Sequence, residues 1–223
     1  MGTLVTLLLA VPFTAWLLAV VIGTQRRERL RLHALESGAA ARGWTYTTDS
    51  AEIRPRPPHL RQWQRPIRFK EGISGRDEDG QDFGVAHIVH ESVDADPSSR
   101  RRHAMICWMG LPFPLNEVRI VPVERIEAIQ ALVGGEQYRT GEAEFDDRYR
   151  ILTNDELLGR MVAGPTVRTL LISNQLPLVV TVQGATIVVE RADRVPRNVE
   201  DALNGVAIVT AVVQGLTGRA PRI

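Results

Sequence analysis

Five histidines and one cysteine leave few residues for metal or nucleophilic chemistry, and the informative ones are His87, His90, His103 and Cys107. His87 and His90 lie three apart in the strand-like stretch "DFGVAHIVHES". Successive strand residues point to opposite faces, so these two cannot hold one metal without a bulge. His103 and Cys107 share a face of "RHAMICWMG", but two ligands do not make a zinc site. The carboxylates Glu142, Glu144 and Asp146 read as one face of a further strand, "EAEFDDRYRIL", with Asp147 on the other. General acid–base work needs two carboxyls converging across a cleft. A row along one strand reads instead as a solvated edge that resists pairing with other chains. No serine sits in a nucleophile elbow, and "VGGEQ" closes a helix where a phosphate loop would open one. The residues therefore assign no catalytic group, no metal and no cofactor, and the reading leans away from an enzyme.

Arginine offers different chemistry. Lys70 is the single lysine among 27 basic residues, and the planar guanidinium suits bidentate contacts with phosphate or carboxylate. Arg54 to Phe69 carries Arg54, Arg56, Arg61, Arg65 and Arg68 around Trp63, with no acid between Glu52 and Glu71. Four more arginines, Arg26, Arg27, Arg29 and Arg31, follow the first apolar run. Near an anionic leaflet each contributes about 1 kcal/mol, and tryptophan favours the interface. These ten residues are the candidate contacts to an anionic lipid or a protein partner. Arg100, Arg101 and Arg102 with His103 form a second cluster that can join them. The competing reading is a pair of solvated loops whose charges pair with Glu52, Glu71, Asp77 and Glu78. A net charge of +1 and the lack of aromatics interleaved at stacking spacing argue against nucleic acid.

These side chains need elements to place them. Leu4 to Ile22 carries no charge, and its nineteen residues span about 28 Å as a helix, close to a bilayer's apolar core. No basic residue precedes the run and no small-x-small motif ends it, which disfavours a cleaved signal peptide. The arginines come after it, so the positive-inside rule puts the N-terminus outside and everything after Thr24 in the cytoplasm. A lone cysteine excludes an internal disulfide and suits a reducing compartment. The expected organisation is a transmembrane anchor over 1–24, a juxtamembrane helix over 25–42 and a soluble domain over 43–218, with a weak boundary near 134–141.

Within that domain, strands are expected at Gly43–Thr48 and in "PIRFKEG", "DFGVAHIVHES", "RHAMICWMG" and "NEVRIVPV", with "GLPFPL" (Gly110–Leu115) as a rigid connection. "VERIEAIQALVGG" reads as an amphipathic helix capped by Gly134 and Gly135. Asn154 and Pro165 open two more helices, and two strands around Gly184 form a hairpin. A last helix runs from Pro196 to about Leu216. Its apolar part, Ala202 to Leu216, is shorter than a span, so it reads as a packing helix. Clustered strands imply α+β: an N-terminal transmembrane helix followed by a mainly antiparallel sheet with packed helices.

The motifs Gly43–Asp49 ("GWTYTTD"), Leu111–Leu115 ("LPFPL"), Glu144–Ile151 ("EFDDRYRI") and Leu157–Leu158 occur in an order that resembles a group of uncharacterised bacterial single-span membrane-anchored proteins. The resemblance covers most of Gly43 to Leu216 and implies architecture alone, a single span with a soluble α+β domain. It transfers no site residue. The expected function is a cytoplasmic binding or scaffolding module at the inner leaflet, bound to the bilayer through residues 4–22. A membrane-tethered enzyme of unrecognised class and an anchored domain facing outside are the alternatives. The sequence leaves partner, ligand and oligomeric state open.

Overall fold

Alternating apolar and polar residues build one antiparallel sheet, seen in a computed structural model that describes residues 2–56, 58, 67–91, 101–174, 176–192, 195–196 and 198–218. Its strands are β1 (Thr45–Thr47), β2 (Arg68–Arg76), β3 (Asp82–Glu91), β4 (Arg101–Pro122), β5 (Glu136–Tyr138), β6 (Tyr149–Thr153) and β7 (Val179–Ala192). They run in the order β1-β2-β3-β4-β6-β5, with β7 also pairing β4. β4 is the spine. Its first half pairs β3, its end pairs β6, and β7 runs along most of its length.

Among the described residues, six α-helices pack around the sheet: α1 (Gly2–Ala40), α2 (Ile126–Val133), α3 (Ala143–Asp146), α4 (Glu156–Val162), α5 (Pro165–Ser173) and α6 (Val199–Thr217). α4, α5 and α6 cover one face, where Val85, Cys107, Ile120, Val180 and Val189 meet Val162, Leu171, Val209 and Val213. The other face takes Ile53 against Ile88, Ile106 and Trp108, and α2 against Val121 and Leu152. The end of α1 lies on the sheet margin, with Leu35 and Ala39 against Ile73 and Val199.

Four local expectations change. "GLPFPL" is not a connection but part of β4, whose register with β7 shifts between Gly110 and Leu115 and again between Leu115 and Val118. Proline has no N–H to give the ladder, so the strand bulges there and continues. Gly184 is not a hairpin turn. It sits opposite Leu115 inside the single strand β7, at φ +57, a backbone state glycine adopts without strain. Glu142–Asp146 is not a strand edge, because Ala143–Asp146 is one helical turn and the strand starts at Tyr149. The cap of α4 is Asp155 and not Asn154, its carboxylate accepting from the Leu158 N–H.

The α+β class with an antiparallel sheet stands, but the N-terminal transmembrane helix does not. Among the described residues, no stretch of α1 is long and apolar enough to cross a membrane. Among the described residues, the helix long and apolar enough to cross a membrane is α6, at the other end of the chain. Asn204, Gly205 and Gln214 do not interrupt it, and half of its apolar window is buried inside the protein.

Candidate functional site

A chain of polar side chains crosses the margin of the sheet under α1. Glu71 of β2 and His87 of β3 are register partners on the face that α6 covers. Next along β4 comes His103, opposite Val89. Glu71 Oε1 accepts from Arg31 at 2.8 Å and from His87 Nδ1 at 3.0 Å. His87 Nε2 lies 2.8 Å from His103 Nδ1, and the two rings stack with centroids 5.1 Å apart. Glu71 and His87 are buried, whereas His103 is exposed, so the chain leads from the interior to solvent. Burial alone would raise the Glu71 pKa. The hydrogen bonds and charges of His87 and Arg31 outweigh it and hold the carboxyl below its ordinary value. With Glu71 ionised, His87 donates to it from Nδ1, and the tautomers of the two rings set the direction of the His87 Nε2–His103 Nδ1 bond. Tyr46 completes the cluster: its hydroxyl is buried without a hydrogen-bond partner, and burial together with the Glu71 charge raises its pKa.

Among the described residues, seven of the ten arginine and tryptophan candidates are placed, four on α1 and three in the β1–β2 segment. Arg26, Arg27 and Arg29 are exposed on α1. Arg31 turns inward instead, donating to Glu28, Glu71 and the Pro196 carbonyl, and so clamps α1 to the domain. Arg68 is exposed on β2, and Arg56 is exposed in the preceding loop. Arg61, Trp63 and Arg65 lie outside the described residues, as does Arg100. Glu142 pairs with Arg168, and Asp146 folds back on its own loop, accepting from the Thr140 and Gly141 N–H groups. The His90 side chain lies outside the described ones. Among the described residues no three metal-binding side chains gather.

Arg54 joins residues the sequence did not link to it. A cleft of about 480 Å³ at the β1 edge is lined by Arg42, Trp44, Arg54, Gly75, Arg76 and Asp82. Trp44 lies against Gly75, where an added Cβ would come 2.3 Å from the indole Cδ1, and its Nε1 donates to the Arg76 carbonyl. A second concavity, of about 570 Å³, lies between the β4 bulge and α4 and is lined by Phe113, Leu115, Leu157, Leu158, Met161 and Leu216. Leu157 is 71% exposed there.

Sequence reasoning compared His87 with His90 and His103 with Cys107, residues of the same strand. The contacts that form are between strands. A usable signal was the equal spacing: Glu71 and His87, sixteen apart, are partners across antiparallel β2 and β3, and His103, sixteen further on, lies on β4 two positions from His87's partner Met105.

No protein-family model matches the chain, and no curated protein matches it in sequence. The fold is shared with a solved structure, the mycobacterial trehalose monomycolate transport factor A, TtfA. The TM-score is 0.51 at 11% sequence identity, covering 86% of this chain and 98% of that one. At that identity the likeness is one of fold.

Proposed function

We propose that the protein is a binding module, not an enzyme, working at the cytoplasmic face of a membrane through contact with anionic lipid. The observation that carries this reading is the pairing of exposed Arg26, Arg27 and Arg29 with the inward Arg31 on one helix. Arg31 fixes α1 to the sheet, so the three outer guanidiniums hold a set geometry relative to the domain. Arginine near an anionic leaflet is attracted to it. Membrane contact through these charges leaves α6 in place. Its buried face holds the main core, and inserting it into lipid would strip that core. The shared fold gives modest support, since the neighbour is by name a transport factor. No cargo is carried over from it.

The test is sedimentation of the full chain with vesicles of phosphatidylcholine alone or mixed with phosphatidylglycerol. Binding is expected only to the anionic vesicles, weakening with salt. Changing Arg26, Arg27 and Arg29 together to Gln should lower affinity about 100-fold, at about 1 kcal/mol for each arginine. Equal binding by the variant overturns the reading. Sidedness is read separately, with Cys107→Ala and a cysteine added after Ile223. An impermeant thiol reagent should label that cysteine only after lysis, and labelling of intact cells would place the domain outside.

A further inference from the structure

Three arginines line the cleft at the β1 edge from three separate segments. Arg42 follows α1, Arg54 lies in the loop after β1, and Arg76 ends β2. One carboxylate, Asp82, shares the lining. Its bond to Arg76 at 3.0 Å is solvent-exposed on both sides. Arg42 is held from outside the cleft by the exposed Glu200 at 2.7 Å. Exposed pairs of this kind are weak and exchange readily. Arg54 is held by its own loop, donating to the Ala51 and Ile53 carbonyls. The floor is rigid: Trp44 packs on Gly75 and edge-on to Phe83 at 4.9 Å between centroids. Thr45 and Ser74, which face each other across the β1–β2 ladder, add hydroxyls to the lining.

We infer that this cleft is a binding site for a phosphate group. Convergent arginines on a fixed floor match the charge and the fork geometry of a phosphate better than those of a carboxylate, because three donors can share its oxygens. The phosphate replaces the Asp82 and Glu200 carboxylates on Arg76 and Arg42, and Arg54 turns from its loop carbonyls to join them. This deepens the proposed function by naming a ligand chemistry, and it rests on that reading only where the phosphate is a lipid headgroup. Arg29 lies about 17 Å along α1 from its end at Ala40, at 1.5 Å per residue, and Arg42 follows beyond it. One leaflet therefore supplies headgroups to both only when α1 lies along the membrane surface, whereas a soluble phosphate compound needs no such orientation.

The experiment uses the full chain in two arms. Inorganic phosphate and glycerol 3-phosphate are titrated calorimetrically, and phosphatidylglycerol vesicles are sedimented. Saturable phosphate binding is expected, weakened at least about tenfold in Arg54→Gln/Arg76→Gln, since charge-assisted bonds to phosphate are the strong ones. Both side chains are exposed, so the variant should keep its melting temperature, and that is checked. No saturable binding, or equal affinity in the variant, overturns the site. If the variant loses vesicle affinity as well, the source is a headgroup. If its vesicle binding is unchanged, the source is soluble and the site stands. The Arg26/Arg27/Arg29 variant isolates the broader reading: loss of phosphate binding there, with the cleft intact, would refute the cleft as its location.

Discussion

Arg31 and Glu71 are forty positions apart in sequence, yet the guanidinium of one lies 2.8 Å from the carboxylate of the other. That contact, with the Arg31 bond to the Pro196 carbonyl, joins α1 to the sheet and to the chain just before α6. Arg31→Ala leaves a largely buried carboxylate with His87 as its remaining described partner. The expected loss is about 2 kcal/mol, read as a lower denaturant midpoint. Proteolysis should then cut between Gln25 and Arg42 faster than in the parent. Unchanged midpoint and unchanged cleavage would show that α1 is held by Leu35 and Ala39 alone.

The same carboxylate sets a pH dependence. Groups facing Glu71 are Arg31 and Glu28 from α1, Tyr46 from β1 and His87 from β3, with His103 behind His87. Its folded pKa lies below the ordinary 4.5. A depressed carboxylate binds fewer protons folded than unfolded, so its contribution is full above about pH 4.5 and is lost as pH falls through the folded value. Glu71→Gln should therefore be less stable than the parent at pH 7, with the gap narrowing below pH 4.5. A gap that stays constant down to pH 3 would show that the ionised carboxylate contributes nothing.

The sheet sets a tight limit at Gly84. It sits directly opposite Trp108, and a Cβ there would come 2.2 Å from the indole Cζ2. Trp108 is fully buried, and its Nε1 donates to the Pro55 carbonyl, so the ring has little room to move. Gly84→Ala should cost about 1–3 kcal/mol. Gly110→Ala, with nothing within 4 Å, should stay within about 0.5 kcal/mol. Equal melting temperatures for the two variants would mean the indole shifts freely.

Much of this architecture was legible in the sequence, and the exceptions have physical causes. Strand alternation placed His103 and Cys107 on one face, and Gly134 ends α2 as expected. Asp146 shows the failure. Its acidic run has strand-like alternation, but the carboxylate accepts from two backbone N–H groups and the Thr140 hydroxyl, and that closes a turn instead. Local side-chain bonds of this kind override pattern. Gly184 and the prolines of "GLPFPL" read as turns because their residue types fit turns equally well. They are the two sides of one bulge, which only the pairing of β4 with β7 reveals. The clamp was hidden for another reason. Arg31 has the same neighbours in sequence as Arg26, Arg27 and Arg29, and what separates them is which side of α1 meets the sheet.

Cys107 is sealed between the sheet and α6. It lies on β4 beneath α6, 1% exposed, where Gly205 brings the helix close enough that an added Cβ would sit 2.9 Å from the Cys107 Cβ. Burial pushes its thiol pKa far above the ordinary value, so almost no thiolate forms at neutral pH. A maleimide added to the folded chain should leave Cys107 unmodified for hours and label it fully in denaturant. Gly205→Ala pushes α6 away from β4, and its labelling rate should rise along with a loss of about 1–3 kcal/mol in stability. Rapid labelling of the parent under native conditions would mean that α6 lifts from the sheet on its own. The core would then open without assistance, and the argument that α6 stays folded on the domain during membrane contact would fail.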